Sequence, residues 1–441
     1  MWRNGNSRAD RGSARSGPRR RIAGPRRTVI LPGHSRPRRD RLPDRISPLA
    51  ISAYTATCAA GRGLDALTAA LRERRSGLIE NDLREYPLEC HIGRVAGLEE
   101  VALPPALAHY DARNNRLAWL GLQQDGFADR VDALRARHGA ARIALVLGTS
   151  TSSIGETETA YRTLDPDGAF PAAQRRLDVH QPHALGLFVR AALQLEGPSL
   201  TVSTACSSSA KVFASAERVL RAGLADAAVV GGVDTLCGSV LYGFHALGLV
   251  SRQPCRPFDA ARDGLSLGEA AGFALVERSA DGAAPLQLVG YGESSDAHHM
   301  SAPHPHGLGA ELAIADALAR AGLTADAIGY INLHGTATPQ NDAVEAALVA
   351  RLFPATTVAS STKGWSGHTL GAAGILEAVF TLLALEHGVL PGTLNARALD
   401  PLCGPQIAID NRMQRTRFAL SNSFGFGGNN CCLAFARTGA A

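Results

Sequence analysis

The chain has 441 residues, 45% hydrophobic and 19% charged, with a formal net charge of +5, the composition of an ordinary globular protein with room for a large core and two similar-sized halves. The charge sits at one end: Met1 to Ser47 carries fourteen Arg against three Asp, a local +11 that leaves −6 for the remainder, so a nucleic-acid-binding body is excluded and only a basic arm stays open. The eight cysteines show no CxxC or CxxH spacing and fit neither a disulfide framework nor a zinc site, which points to the cytoplasm, and no apolar run approaches the roughly 18 residues that span a bilayer.

Residues 1–47, with RSGPRRRIAGPRR and HSRPRRDRLPDR, have neither helical nor strand period and read as a disordered Arg-rich extension. From Pro48 onward, short β-type runs alternate with longer amphipathic or alanine-rich runs, the pattern of an α/β fold with mostly parallel sheets. The first strands are LAISAY, RIALVLG, SLTVST, AAVVGG and GFALVE, with helices LDALTAALRER and FASAERVLRAG among them. The later strands are LQLVGYG, IGYINL, TVASS, ALSNSF and NCCLAFA, with helices AELAIADALARAG, DAVEAALVARLF and ILEAVFTLLALEHG, several closed by the glycine that stops a helix. The turn cluster SADGAAP, Ser279 to Pro285, separates the two groups. The chain therefore reads as two duplicated halves, 48–284 and 285–441, the first enlarged by insertions.

Between SLTVST and FASAERVLRAG, the stretch TACSSSAK delivers Cys206 from a strand end to a helix start. Unpaired N–H groups converge at such a point. They favour a thiolate, lowering the thiol below its ordinary pKa of about 8.5, and offer donors to an oxyanion. The same context suits a packed core thiol, and spacing alone leaves both readings open.

Three later stretches bear on the choice. INLHGTATPQND ends a strand at His334, STKGWSGHTLGAAG sets Lys363 and His368 in a glycine-rich loop, and SNSFGFGGNN places Phe424 and Phe426 among Gly425, Gly427 and Gly428. Two histidines and a lysine in loops at the carboxyl edge of a parallel sheet occupy the place where such sheets bind ligands. Of 45 basic residues only Lys211 and Lys363 are lysine, so Lys363 argues for a compact ammonium that a guanidinium does not replace. HHMSAPHPH gathers His298, His299, His304 and His306 at no zinc spacing and stiffened by proline; it reads as a solvated connection. GTSTSSIGE lacks the lysine of a phosphate loop, and the chain has no GxSxG.

With TACSSS, HGTATPQND, STKGWSGHTLGAAG and NSFGFGGNN in that order, and RPFDAARDGLSLGEAAG between the first two, the chain resembles the β-ketoacyl-acyl carrier protein synthases, condensing enzymes of the thiolase superfamily, from about Pro48 to Arg437. The resemblance implies a thiolase-like five-layered αβαβα fold with two pseudo-duplicated halves, and a homodimer formed through SLTVST, with a heterodimer as the variant. It implies that Cys206 takes an acyl group from a carrier-protein thioester and that malonyl-carrier protein then loses CO2 and attacks the acyl-cysteine. His334 and His368 are implied as donors to the enolate, Lys363 as their electrostatic support and Glu377 as a carboxylate behind the site. The N–H groups of Cys206 and Phe426 become the oxyanion hole. Phe426 becomes the gate of the acyl pocket, flanked by Phe424 and hinged at Gly425, Gly427 and Gly428. Thr336 and Thr338 are implied as contacts of the 4′-phosphopantetheine arm, which arrives on the acyl carrier protein, so no resident cofactor or catalytic metal is expected. Some relatives hold a structural monovalent cation on the oxygens matching Asn332, Glu377, Ser421 and Asn422.

The departures are Ser203 where an aspartate is common, Asn429 in place of a threonine, and GEAAG in place of GEGAG. Thr151 falls where relatives vary a residue at the pocket base, and with HHMSAPHP and GGNN it makes the chain similar to synthases of aryl-polyene pathways. Two alternatives stand: a non-catalytic subunit of the chain-length-factor kind, which usually lacks the cysteine, and a coenzyme A-dependent thiolase, which generally uses a second late cysteine that SFGFGG does not offer. The implied partner is acyl carrier protein, with no nucleic acid and no membrane.

Overall fold

In the computed structural model of the chain, residues 45–278 and 284–439 are described. Ten strands form the continuous path of the large sheet: β1 (Leu49–Cys58), β2 (Ile143–Gly148), β3 (Ser199–Val202), β4 (Ala227–Asp234) and β5 (Ala270–Arg278), then β6 (Leu286–Ser295), β7 (Tyr330–Asn332), β8 (Val358–Ser360), β9 (Phe418–Gly425) and β10 (Asn429–Arg437). Each of the ten strand runs read from the sequence overlaps one of them, and RIALVLG, SLTVST, IGYINL and TVASS extend past the strand ends. Eight of the helices pack on this sheet: α1 (Gly63–Glu73), α2 (Arg113–Leu122), α3 (Phe127–His138), α4 (Ala184–Ala192), α5 (Ser208–Arg221), α6 (Leu308–Ala321), α7 (Pro339–Leu352) and α8 (Ala373–His387).

Topology shows the duplication. The sheet runs β8-β7-β9-β10-β6-β1-β5-β4-β2-β3, so outward from the seam the first half reads 1-5-4-2-3 and the second 6-10-9-7-8, the same order shifted by five. Pairing directions match as well. β2 is parallel to β3 and β4, as β7 is to β8 and β9, while β5 and β10 are antiparallel to both their neighbours within the half. Four of five strands in each half therefore run one way and one is reversed. Within the sheet the halves are joined through two residue pairs, Leu49 with Leu288 and Ala50 with Gln287.

Period-two alternation sets the layers. In β4, Ala228 and Val230 face a cluster with Phe213 of α5 and Phe380 of α8, whereas Ala227 and Val229 face one with Leu117, Val131 and Phe188 from α2, α3 and α4. In the second half, Leu433 and Phe435 of β10 join the central cluster, and Ala434 and Ala436 join one with Ile314 of α6 and Val349 of α7. The order is helices, sheet, the α5 and α8 pair, sheet, helices: the αβαβα arrangement. The stretch Leu370–His387 is long and apolar enough to cross a bilayer, against the reading that no run approaches that length, but 89% of it is buried inside the protein. Its apolarity reflects a helix with protein on every side.

The Arg-rich extension through residue 44 and the turn residues 279–283 lie outside the described residues. The boundary drawn at Pro48 moves upstream. Ile46 donates its N–H to the Arg320 carbonyl at 3.2 Å and packs on the central cluster, so residues 45–47 belong to the fold.

Candidate active site

Cys206 lies in the turn between β3 and α5, directly after Ala205, which takes φ 53°, a left-handed conformation uncommon for a residue with a Cβ. Side-chain hydroxyls hold that turn. Ser208 Oγ accepts the Thr204 N–H at 2.8 Å and donates to the Ala205 carbonyl at 2.6 Å, and Ser207 Oγ donates to the Thr204 carbonyl at 2.9 Å. The serines of TACSSS thus do more than pack closely, because they fix the direction in which the thiol leaves the chain.

The structure brings the other motifs to this thiol. His368 Nε2 is 3.0 Å from Cys206 Sγ, and one donor atom each from Cys206, His334 and His368 lie within 4.8 Å of one another. The His334 and His368 rings are 5.5 Å apart and nearly perpendicular. His334 follows β7, and Glu345 of α7 fixes its backbone by accepting the N–H groups of His334 at 2.9 Å and Gly335 at 2.8 Å. Lys363, 2% exposed, ion-pairs with Glu377 of α8, donates to the His334 carbonyl and lies 3.5 Å from His334 Nδ1. Glu377 therefore supports the lysine. Sequence reading missed Glu345; its signal was an acidic residue eleven after His334, on the buried face of α7.

Electrostatics correct one expectation. Burial pushes the Cys206 thiol up to about 11 although the Lys363 charge and the N–H groups of Phe426 and Cys206 pull it down. The helix start was expected to lower it, but desolvation of a residue only 6% exposed outweighs those dipoles. Burial, and then the Lys363 charge, hold both imidazoles well below their usual range, so they are neutral at ordinary pH. Glu345 and Glu377 are each pushed up to about 7 by burial, the first against its N–H donors and the second against Lys363.

A cavity of about 620 Å³ opens on Cys206, His334 and His368 and is lined also by Thr336, Thr338, Phe424, Gly425, Phe426 and Gly427. The two threonine hydroxyls lie 2.8 Å apart. Phe426 stacks on Phe244 at 5.6 Å, and Phe424 is 6.0 Å from the His334 ring. The Phe426 N–H lies against Cys206 Sγ, and a Cβ at Gly425 would sit 3.2 Å from the Cys206 nitrogen, so glycine permits that approach. Gly427 turns the chain at φ 75° and donates its N–H to the Met300 carbonyl at 2.7 Å.

That contact adds a role to HHMSAPHPH, a solvated connection in which His298, His299 and His306 are exposed. His299 to Pro303 line the cavity, and Asp296 anchors the segment by accepting from His304 N–H at 3.0 Å and Asn430 Nδ2 at 2.9 Å. The missed signal was position, since the segment follows β6 at the carboxyl end of a strand. Thr151 is also relocated. It lines a neighbouring cavity of about 270 Å³ with Ser203, and its N–H and hydroxyl both bond Asp234.

Residues 116–282 match the family described as Beta-ketoacyl synthase, N-terminal domain, and residues 286–397 its C-terminal domain. Nodulation protein E of Rhizobium meliloti (strain 1021) is 38% identical over 67% of this chain and 76% of its own length. The 3-oxoacyl-[acyl-carrier-protein] synthase 2 of Vibrio cholerae is 34% identical over 68% and 76%. Among solved structures, a chain of the ketosynthase ApeO in complex with its chain length factor ApeC from Xenorhabdus doucetiae is 37% identical, with a TM-score of 0.81 over 89% of this chain and 98% of that one. A β-ketoacyl synthase from Burkholderia phymatum is 28% identical, with a TM-score of 0.80 over 89% and 100%. Likeness that runs through both halves of the sequence and through the fold makes this chain a member of the β-ketoacyl synthase family, the acyl-transferring condensing enzymes of thiolase-like fold.

Proposed function

We propose that the enzyme lengthens acyl chains carried on acyl carrier protein by a two-stage reaction at Cys206. The observation that carries the reading is the 3.0 Å contact of Cys206 Sγ with His368 Nε2, with His334 completing the group. A thiol at about 11 needs help to ionise. The Nε2–H of His368 donates to the sulfur as it gives up its proton and attacks the acyl thioester carbon, and the N–H groups of Cys206 and Phe426 take the oxyanion. The phosphopantetheine thiol leaves with that proton, its arm lying along Thr336 and Thr338.

In the second stage malonyl-carrier protein releases CO2, and the enolate oxygen accepts hydrogen bonds from Nε2–H of His334 and His368. The enolate carbon then attacks the acyl-cysteine and the sulfur departs. Lys363 beside His334 Nδ1 keeps the ring proton on Nε2, and its charge opposes protonation of either ring. Phe426 and Phe424 gate the cavity on the Gly425–Gly428 hinge.

The oxygens matching the cation set fit such an ion in chemistry. Glu377 Oε2, Ser421 Oγ and Asn422 Oδ1 are buried without hydrogen-bond partners among the described residues. With Asn332 they would hold it, and its charge would favour ionised Glu377 behind Lys363.

The second subunit, an identical chain or one of the chain-length-factor kind, sits on β3. The finer pathway reading, an aryl-polyene type synthase acting in the cytoplasm, rests on the likeness carried by Thr151, HHMSAPHP and GGNN. Incubation with malonyl-carrier protein and a panel of saturated, unsaturated and aryl acyl-carrier proteins, read by intact mass, tests both levels. We expect an acyl adduct that Cys206→Ala abolishes and a product two carbons longer; an undiminished adduct in Cys206→Ala sinks the reading.

A further inference from the structure

The last residue of β4, Asp234, is fully buried. Its carboxylate gathers donors from two segments that are distant in sequence. From the turn after β2 it accepts the Thr149 hydroxyl, the Ser150 N–H at 2.9 Å and hydroxyl at 2.8 Å, and the Thr151 N–H at 3.0 Å and hydroxyl at 2.6 Å. From the segment that carries His368 it accepts the Gly371 N–H at 2.6 Å, which also lies 3.0 Å from Ser150 Oγ.

Each segment leads to one half of the reacting pair. Thr149 donates its N–H to the Val202 carbonyl at 3.1 Å, at the end of the strand that delivers Cys206. Gly371 lies three residues after His368, whose own backbone is pinned on the other side by its N–H to the Ser266 carbonyl at 2.7 Å and by the Gly268 N–H to its carbonyl at 3.0 Å. Leu370 between them takes φ 58°, and a Cβ at Gly371 would meet Ser150 N at 2.5 Å and the Asp234 carboxylate at 2.6 Å. The chain after His368 thus runs against the Asp234 knot with no room for a side chain. His368 Nδ1 has no hydrogen-bond partner among the described residues, so the ring depends on its backbone anchors.

We propose that Asp234 is a positioning residue that holds His368 Nε2 against Cys206 Sγ by tying the His368 segment to the turn beside β3. A carboxylate suits the place because it accepts from every side, whereas an amide of the same shape would turn one NH2 toward N–H donors. The step it serves rests on the proposed two-stage reaction, so the deciding measurement does not involve turnover.

The pH profile of Cys206 alkylation by iodoacetamide, followed by intact mass, is compared in wild type, Asp234→Asn, Asp234→Glu and Ser150→Ala, alongside CO2 release from malonyl-carrier protein. Asp234→Asn is expected to raise the alkylation midpoint and lower CO2 release at least tenfold with less than a threefold change in KM. Asp234→Glu should recover part of both, and Ser150→Ala, which keeps the carboxylate, should shift both in the same direction by a smaller factor. A folded Asp234→Asn with an unmoved midpoint overturns the assignment, whatever the CO2 assay gives. Should Asp234→Asn fail to fold, Ser150→Ala decides by the same midpoint. A moved midpoint in an enzyme whose wild type releases no CO2 upholds the positioning role and refutes the condensation instead.

Discussion

At the scale of residues, the site joins a thiol held protonated with two imidazoles held neutral, and burial is the first cause of both. Cys206 alkylation should therefore climb steadily from about pH 7 to about pH 10; a plateau by about pH 8 would show the helix start outweighing burial after all. Lys363 lowers the thiol and both histidines together. Lys363→Met should cut CO2 release by roughly 10- to 100-fold near neutrality, and the loss should deepen below about pH 6.5 as the imidazoles, freed of a neighbouring cation, return toward their ordinary value. A parallel drop at every pH, measured by CO2 evolution, would assign Lys363 a purely structural part.

At the scale of elements, the catalytic pair depends on how closely α5 and α8 approach. A Cβ at Gly374 would lie 2.4 Å from the Ala210 nitrogen and 2.8 Å from its Cβ, and Ile375 N–H donates to Ser209 Oγ at 2.9 Å. The small residues of FASAERVLRAG and LGAAG let two largely buried helices share one layer. Gly374→Ala should destabilise by about 1–3 kcal/mol through overpacking and slow acyl-enzyme formation, because the displaced helix carries Glu377 and begins beside His368. Thermal denaturation and single-turnover acylation check the two effects, and an unchanged melting temperature would mean the helices have slack.

At the scale of the molecule, the sheet has two edges and treats them differently. The β8 edge is covered by residues 406–408, with the Ala359 N–H donating to the Gln406 carbonyl at 2.8 Å and the Ala408 N–H to the Ala359 carbonyl at 2.9 Å. β3 has one strand neighbour, β2, among the described residues, and Leu200 on it is 43% exposed. SLTV holds neither lysine nor proline, the usual protections of a free edge, which suits a strand made to meet a second subunit. Leu200→Arg should shift the protein to monomer by light scattering while leaving Cys206 alkylation within about twofold of wild type; an unshifted mass would place the subunit contact elsewhere.

Sequence alone determined the alternation of ten strands with helices, the split into two halves and the motifs that carry Cys206, His334, Lys363, His368 and Phe426, because period and turn chemistry are local and repeat along the chain. It left Cys206 open between core thiol and nucleophile, since one strand end looks like another until the facing loops are known. Only the tertiary structure placed His368 at 3.0 Å, raised the thiol where the helix start suggested lowering it, set residues 299–303 of the solvated HHMSAPHPH along the cavity, and showed Asp234 gathering two distant segments. Those outcomes depend on desolvation and on contacts between residues far apart in sequence, and neither leaves a periodic mark in the chain.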